Sequence, residues 1–138
     1  MIKGLIAGSY DLIHPGYIMS FAEAKTQCDY LIAALQDDPT IERPHKNKPV
    51  QTLNERYLIL SSIKYIDLVV VYNIESELCN ILRVHRPDIR FLGDDYRNKT
   101  EEEVAGYDIC PDIYYLSRTH GYSTTKLKEQ IVESFKNE

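Results

Sequence analysis

The sequence predicts one doubly wound α/β domain over residues 1–138, a five-stranded and mostly parallel sheet with helices on both faces. Three observations predict it. Five short apolar runs, at Ile2–Ala7, Tyr30–Leu35, Asp67–Tyr72, Ile89–Leu92 and Ile113–Leu116, carry too little polar alternation for strands with one wet face. Segments with helical spacing separate most of these runs, and strand, helix, strand in that order makes a right-handed parallel crossover. The residues with unusual chemistry fall just after the runs, where open parallel sheets bind ligands.

The first run ends at Gly8, and Pro15 and Gly16 then open a helix over Tyr17 to Gln27 with Ile18, Phe21, Ala22 and Lys25 along its inner stripe. Proline suits the first helical position because its missing N–H would have had no partner there. After the second strand, Asp37 to Gln51 is polar and holds Pro39, Pro44 and Pro49 with His45, Lys46 and Lys48 between them, a loop long enough to suggest function. Thr52-Leu53-Asn54-Glu55 reads as a capping box, and Leu53, Tyr57, Leu60 and Ile63 supply the inward face of the helix it starts. The third run is β-branched and too apolar for a sheet edge. Leu78, Ile81, Leu82 and His85 follow at helical spacing until Pro87. The fourth strand closes at Gly93-Asp94-Asp95-Tyr96, and the acidic Arg97–Pro111 stretch reads as a solvated face or helix start around Glu101-Glu102-Glu103. The last helix begins near Ser123 and is expected to pack through Leu127, Ile131 and Phe135.

Composition excludes several classes. With 16 Lys and Arg against 21 Asp and Glu, the formal charge is -5, so no basic surface asks for nucleic acid or an anionic membrane. A polyanionic ligand would need a local positive site. Cys28, Cys79 and Cys110 are odd in number and widely spaced, which suits buried small hydrophobes better than a disulfide framework or a zinc site. No apolar run approaches the ~20 residues of a membrane helix, and the N-terminus has no secretory pattern, so the cytoplasm is the expected compartment.

Two segments carry the chemistry. Gly8-Ser9-Tyr10-Asp11-Leu12-Ile13-His14-Pro15-Gly16-Tyr17 joins a buried strand to a helix whose first N–H groups attract phosphate, with His14 as an added donor. Arg118-Thr119-His120-Gly121-Tyr122-Ser123-Thr124-Thr125 places a cation, a flexible glycine and three hydroxyls at another helix start, and Arg can grip two phosphate oxygens at once. As an isolated feature Ser123 is an ordinary N-cap, which does not account for Arg118, Gly121 and the extra hydroxyls.

The first segment resembles the signature G-[ST]-[FY]-D-x-x-H-x-G-H of small cytidylyltransferases, and the second resembles R-T-x-G-x-S-T-T of glycerol-3-phosphate cytidylyltransferases. With Gly93-Asp94-Asp95 between them, the chain from Gly4 to about Lys128 is similar to that family within the H-x-G-H nucleotidyltransferases. The resemblance implies transfer of CMP from CTP to a small phosphorylated alcohol with release of pyrophosphate. Implied with it are Mg²⁺ or another divalent cation carried mainly by the phosphates, no metal held by the protein alone, and a homodimer. It assigns His14, Lys46, Arg118 and Tyr17 to catalysis. Gly8, Ser9, Tyr10, Gly16, Lys48, Gly93, Thr119, Gly121, Ser123, Thr124 and Thr125 go to the nucleotide. Lys46 stands ten positions before Arg56, the spacing of the family's catalytic lysine, with Lys48 in reserve. Arg56 is either a phosphate contact or a helix-surface ion pair, Asp94 and Asp95 are either nucleotide contacts or a strand-end turn, and Asp11 supports the loop.

Tyr17 departs from the pattern, which has histidine there. A phenol cannot carry positive charge near neutral pH, and losing one preorganised donor typically costs a factor of about 10² to 10³ in turnover. An adenylyltransferase using ATP, and a nucleotide-binding relative without turnover, are the competing expectations.

Overall fold

The computed structural model describes residues 1–137. Its element order is β1 (Lys3–Gly8), α1 (Pro15–Lys25), β2 (Tyr30–Gln36), α2 (Leu53–Ser61), β3 (Leu68–Tyr72), α3 (Glu75–His85), β4 (Ile89–Gly93), two 3₁₀ turns (Asp94–Asn98 and Glu101–Glu103), β5 (Ile113–Leu116) and α4 (Thr124–Lys136). All five strands are parallel in the order β3-β2-β1-β4-β5, so the predicted doubly wound sheet is the observed one. The chain winds outward from β1 to β3 and then crosses back to β4 on the other side of β1. That reversal opens a crevice at the carboxyl ends of β1 and β4.

Alternation along the strands divides the core. Ile6, Ala33 and Phe91 face one side, with Phe21 of α1 and Leu60 of α2. Leu5, Ile32 and Ala34 face the other, where Leu78, Ile81 and Leu82 of α3 cover them. Asp67 accepts from the Leu31 N–H at 2.8 Å and pairs with Lys25, tying β2 to α1. Glu23 of α1 accepts from the Ser117 hydroxyl at 2.7 Å and so ties α1 to the end of β5.

Several local expectations are corrected. α1 starts at Pro15, with His14 as its N-cap, and its buried residues are Gly16, Phe21 and Ala24, while Ile18 is exposed. The capping box of α2 forms as expected, with Glu55 N–H donating to the Thr52 hydroxyl at 3.2 Å and Thr52 N–H to the Glu55 carboxylate at 2.9 Å. Its buried residues are Leu60, as expected, and Arg56, while Tyr57 is exposed. β3 is an edge strand despite its apolar sequence, with Tyr72 buried and Val71 exposed, because a run of valines records burial preference but not strand order. In α4 only the first turns approach the fold. Ile131, Val132 and Phe135 are exposed, since the other helices already cover the sheet faces and an apolar stripe does not create its own partner.

Arg56 holds the crevice open at its base. Its guanidinium is 2% exposed and donates to the carbonyls of Gln51 at 3.1 Å, Ser9 at 2.9 Å, Gln36 at 2.7 Å and Asp37 at 2.8 Å, with the Asp37 carboxylate 3.6 Å away. Four of its five N–H groups are thereby used, and the last has that carboxylate beside it. Neither expected role, phosphate contact or surface ion pair, is what the geometry gives: Arg56 is a strut joining the ends of β1 and β2 to α2. Arg56→Met leaves four half-buried carbonyls without this donor and is expected to lower unfolding stability by about 3 kcal/mol or more, with Arg56→Lys intermediate. Urea denaturation of the three proteins checks this, and equal midpoints would contradict it.

Candidate functional site

A cavity of about 690 Å³ opens at the carboxyl ends of the strands, within the range of small-ligand sites. The loop after β1 forms one wall. Tyr10 and Leu12 both adopt left-handed backbone, φ 49° and 51°, a conformation that non-glycine residues rarely hold without cause. Asp11 fixes this loop, since its buried carboxylate accepts from Val50 N–H at 2.8 Å and Gln51 N–H at 3.0 Å. The loop carrying Lys46 and Lys48 is thereby brought to the same opening.

His14 caps α1 through Nδ1, which accepts the Gly16 N–H at 3.1 Å. In the neutral ring the proton therefore sits on Nε2, the donor left for a ligand. Burial, then His120 and Arg118, hold the His14 pKa below its ordinary value. His120 repeats the device, its Nδ1 accepting the Tyr122 N–H at 3.2 Å. The two imidazoles meet over Gly16: a Cβ at that position would lie 2.5 Å from His120 Cε1 and 2.9 Å from His14 Cε1, so only glycine allows the approach. The α4 start completes this wall, with Ser123 as N-cap accepting from Lys126 N–H at 3.0 Å.

Of the residues assigned from sequence, Gly8, Ser9, Tyr10, His14, Gly16, Tyr17, Lys46, Lys48, Gly93, Arg118, Ser123, Thr124 and Thr125 line this one cavity. Tyr10 turns its ring into the core, 4% exposed, against Phe21 with ring centroids 5.4 Å apart. The Tyr17 hydroxyl lies 3.2 Å from the Thr124 hydroxyl, and Thr124 in turn donates to the Asp11 carbonyl at 3.2 Å, so Tyr17 fastens α1 to α4. Lys48 reaches the Asp38 carboxylate at 3.8 Å. Five assigned residues lie outside the cavity lining. Arg56 is the strut described above, Asp94 accepts from Arg97 at 2.8 Å, Asp95 folds back to where a Cβ on Gly93 would stand, and Thr119 and Gly121 form no part of the wall. For Asp94 and Asp95 the geometry is that of the strand-end turn.

Sequence reading passes over His120, Arg43, Tyr72 and Arg90, which also line the cavity. His120 occupies a variable position of its motif. Arg90 sits inside an apolar run, where a single cation reads as noise.

A crevice at the sheet's switch point, walled by two helix starts and lined by His14, Arg118, Lys46 and Lys48, is suited to a polyanionic nucleotide. Comparison with known proteins is specific. Residues 5–130 match the model of the family described as cytidylyltransferase-like, and the chain belongs to that family. It is 38% identical over 129 residues to the bifunctional protein HldE of Caulobacter sp. (strain K31), covering 90% of this chain and 26% of that one. The HldE of Helicobacter hepaticus is 31% identical over 128 residues, with 92% and 26% covered. The chain thus spans about a quarter of the length of these curated relatives. Among solved structures, a lipopolysaccharide core biosynthesis protein from Thermoplasma volcanium superimposes with a TM-score of 0.70 at 25% identity, covering 87% of this chain and 99% of that one. Pantothenate synthetase from Thermus thermophilus shares the fold at a TM-score of 0.57 and 9% identity, with 94% and 64% covered. These matches support the family and leave the glycerol-3-phosphate acceptor implied by the motifs as one candidate.

His14 also links the site to stability. Its folded pKa lies below the unfolded value, so the unfolded chain takes up the proton first as pH falls, and stability is lost below about pH 6.5. His14→Asn keeps a side-chain cap and cannot titrate. Wild type is expected to lose more stability than His14→Asn between pH 7.5 and pH 5 in urea titrations, and parallel curves would contradict the assignment.

Proposed function

We propose that this chain transfers a nucleotidyl group from CTP to a small phosphorylated alcohol, glycerol 3-phosphate or a similar compound, and releases pyrophosphate. The observation that carries the reading is the convergence of His14, Arg118, Lys46 and the α4 hydroxyls on one cavity although they lie far apart in the chain. A phosphate oxygen of the acceptor forms a bond to the α-phosphorus, the bond from that phosphorus to the bridging α–β oxygen breaks, and pyrophosphate leaves with the electron pair. The acceptor phosphate is already ionised, so no side chain forms a covalent bond or takes a proton. Catalysis consists of alignment and stabilisation of charge on the phosphoryl oxygens. His14 Nε2 donates to the α-phosphate, Arg118 and Lys46 face the leaving pyrophosphate, and the start of α4 holds the nucleotide phosphates.

Among the described residues no group of three or more His, Cys, Asp or Glu side chains is placed to hold a metal ion. In this reading magnesium would ride on the nucleotide phosphates and neutralise their charge. A dimer, if formed, would cover apolar surface at the β3 edge, where Val71 is exposed.

ATP is the second reading. The curated relatives are named for no nucleotide, and the phosphate-binding motifs hold a triphosphate without choosing its base, so ATP fits at least as well as CTP.

Pyrophosphate release with CTP or ATP and a panel of phosphorylated alcohols and sugars tests the proposal. The expected result is nucleotide- and acceptor-dependent release that falls by about 10² to 10³ in His14→Ala. Nucleotide binding by calorimetry without product from any acceptor would overturn catalysis in favour of a binding-only relative.

A further inference from the structure

The β4 side of the cavity contains a buried cation without a counter-ion. Arg90 stands on β4 and is 5% exposed, yet it pairs with no carboxylate among the described residues. One of its Nη atoms donates to the Ala105 carbonyl, and its Nε–H has no partner at all. Burial depresses its pKa, and the groups that act on it most, Cys110, Tyr72, Cys79 and Tyr96, include no carboxylate. The contrast with Arg56, whose N–H groups are satisfied, is sharp. An unpaired buried charge destabilises the fold unless something else offsets it.

The surroundings say what that is. Arg90, Tyr72, Arg43, Tyr96 and Glu75 all line the same cavity as His14. Burial pushes the Tyr72 hydroxyl up to about 12, so it remains a neutral donor. Arg43 bonds to Glu75 at 3.1 Å at the exposed rim. Donors at the floor and a carboxylate at the rim match a compound with an anionic group at one end and hydroxyls at the other.

We infer that Arg90 and Tyr72, with Arg43 at the rim, form the acceptor subsite: they take an anionic phosphate group of the acceptor while Glu75 receives its hydroxyls. The inference rests on the proposed nucleotidyl transfer and adds to it the location and chemistry of the acceptor's seat. The guanidinium fork suits phosphate, which it can contact through two parallel bonds. Arg90, Tyr72 and Glu75 stand on β4, β3 and the start of α3, apart from the α1 and α4 starts that hold the nucleotide, whereas Arg43 shares the Lys46 loop, so Arg90 and Tyr72 are the groups that separate the two substrates.

Arg90→Met separates a ligand seat from a structural strut. Replacing an unpaired buried cation by an apolar side chain of similar size should leave the melting temperature of the free protein unchanged or raised. The calorimetric Kd for CTP should stay within about threefold. The thermal shift produced by inorganic phosphate on the CTP-saturated protein should disappear, and the KM for glycerol 3-phosphate or whichever acceptor is turned over should rise at least about tenfold, the scale of a lost charge-assisted bond. Arg90→Lys should restore part of the phosphate shift, and Tyr72→Phe should weaken it without unfolding the chain. If Arg90→Met lowers the melting temperature and keeps the phosphate shift, Arg90 merely anchors the Ala105 segment and the inference fails. Should Arg90→Met not fold, a full phosphate shift in both Arg90→Lys and Tyr72→Phe overturns it equally. An inactive wild type with an Arg90-dependent phosphate shift would sink the catalytic reading alone, whereas an active enzyme with unchanged acceptor KM in Arg90→Met would sink only this subsite.

Discussion

The reversal of winding at β1 is the constraint on which the rest of the structure depends. Because α1 leaves β1 on one face while the segment leaving β4 packs through Ile109 and Cys110 on the other, the two connections diverge, and the space between them is filled by neither. What lies beside that space is the start of α1, capped by His14, and the start of α4, capped by Ser123. Arg56 makes the arrangement rigid by collecting carbonyls from the β1 loop, the end of β2 and the start of α2 onto one guanidinium. Asp11 does the same for the Lys46 loop from the acceptor side of two hydrogen bonds.

Local electrostatics then reverse the sign of the whole. The chain is acidic overall, yet Arg43, Lys46, Lys48, Arg90 and Arg118 gather at the crevice with His14 and His120. A polyanion is therefore attracted to one place on an otherwise repelling surface. The two histidines are oriented alike, because each commits Nδ1 to a backbone N–H two residues later. That choice suits a site where charge must be held without being transferred.

Much of this is legible in the sequence, for identifiable reasons. Five continuous apolar runs point to the parallel sheet because burial on both faces removes the polar alternation that one wet face would impose. The phosphate-facing segments are legible because helix starts require a narrow set of residues in a fixed order. Strand order is not legible for β3, whose valines would suit a central position equally well. Nor is the fate of α4, where spacing reports a hydrophobic face without reporting a partner. Arg56 and Arg90 are opaque for a different reason: a cation in the core is explained by carbonyls, or by a missing anion, contributed from distant segments that no local pattern connects. Tyr17 reads as a weakened donor, and in the fold its hydroxyl is engaged with Thr124.

The most direct measurement is a crystal structure of the chain with CTP and glycerol 3-phosphate bound. A single cavity that aligns two phosphates predicts the nucleotide phosphates between the starts of α1 and α4, with the α-phosphate at His14 Nε2 and the acceptor on the Arg90 side. Phosphates seated elsewhere on the surface, with His14 and Arg118 free of them, would contradict it.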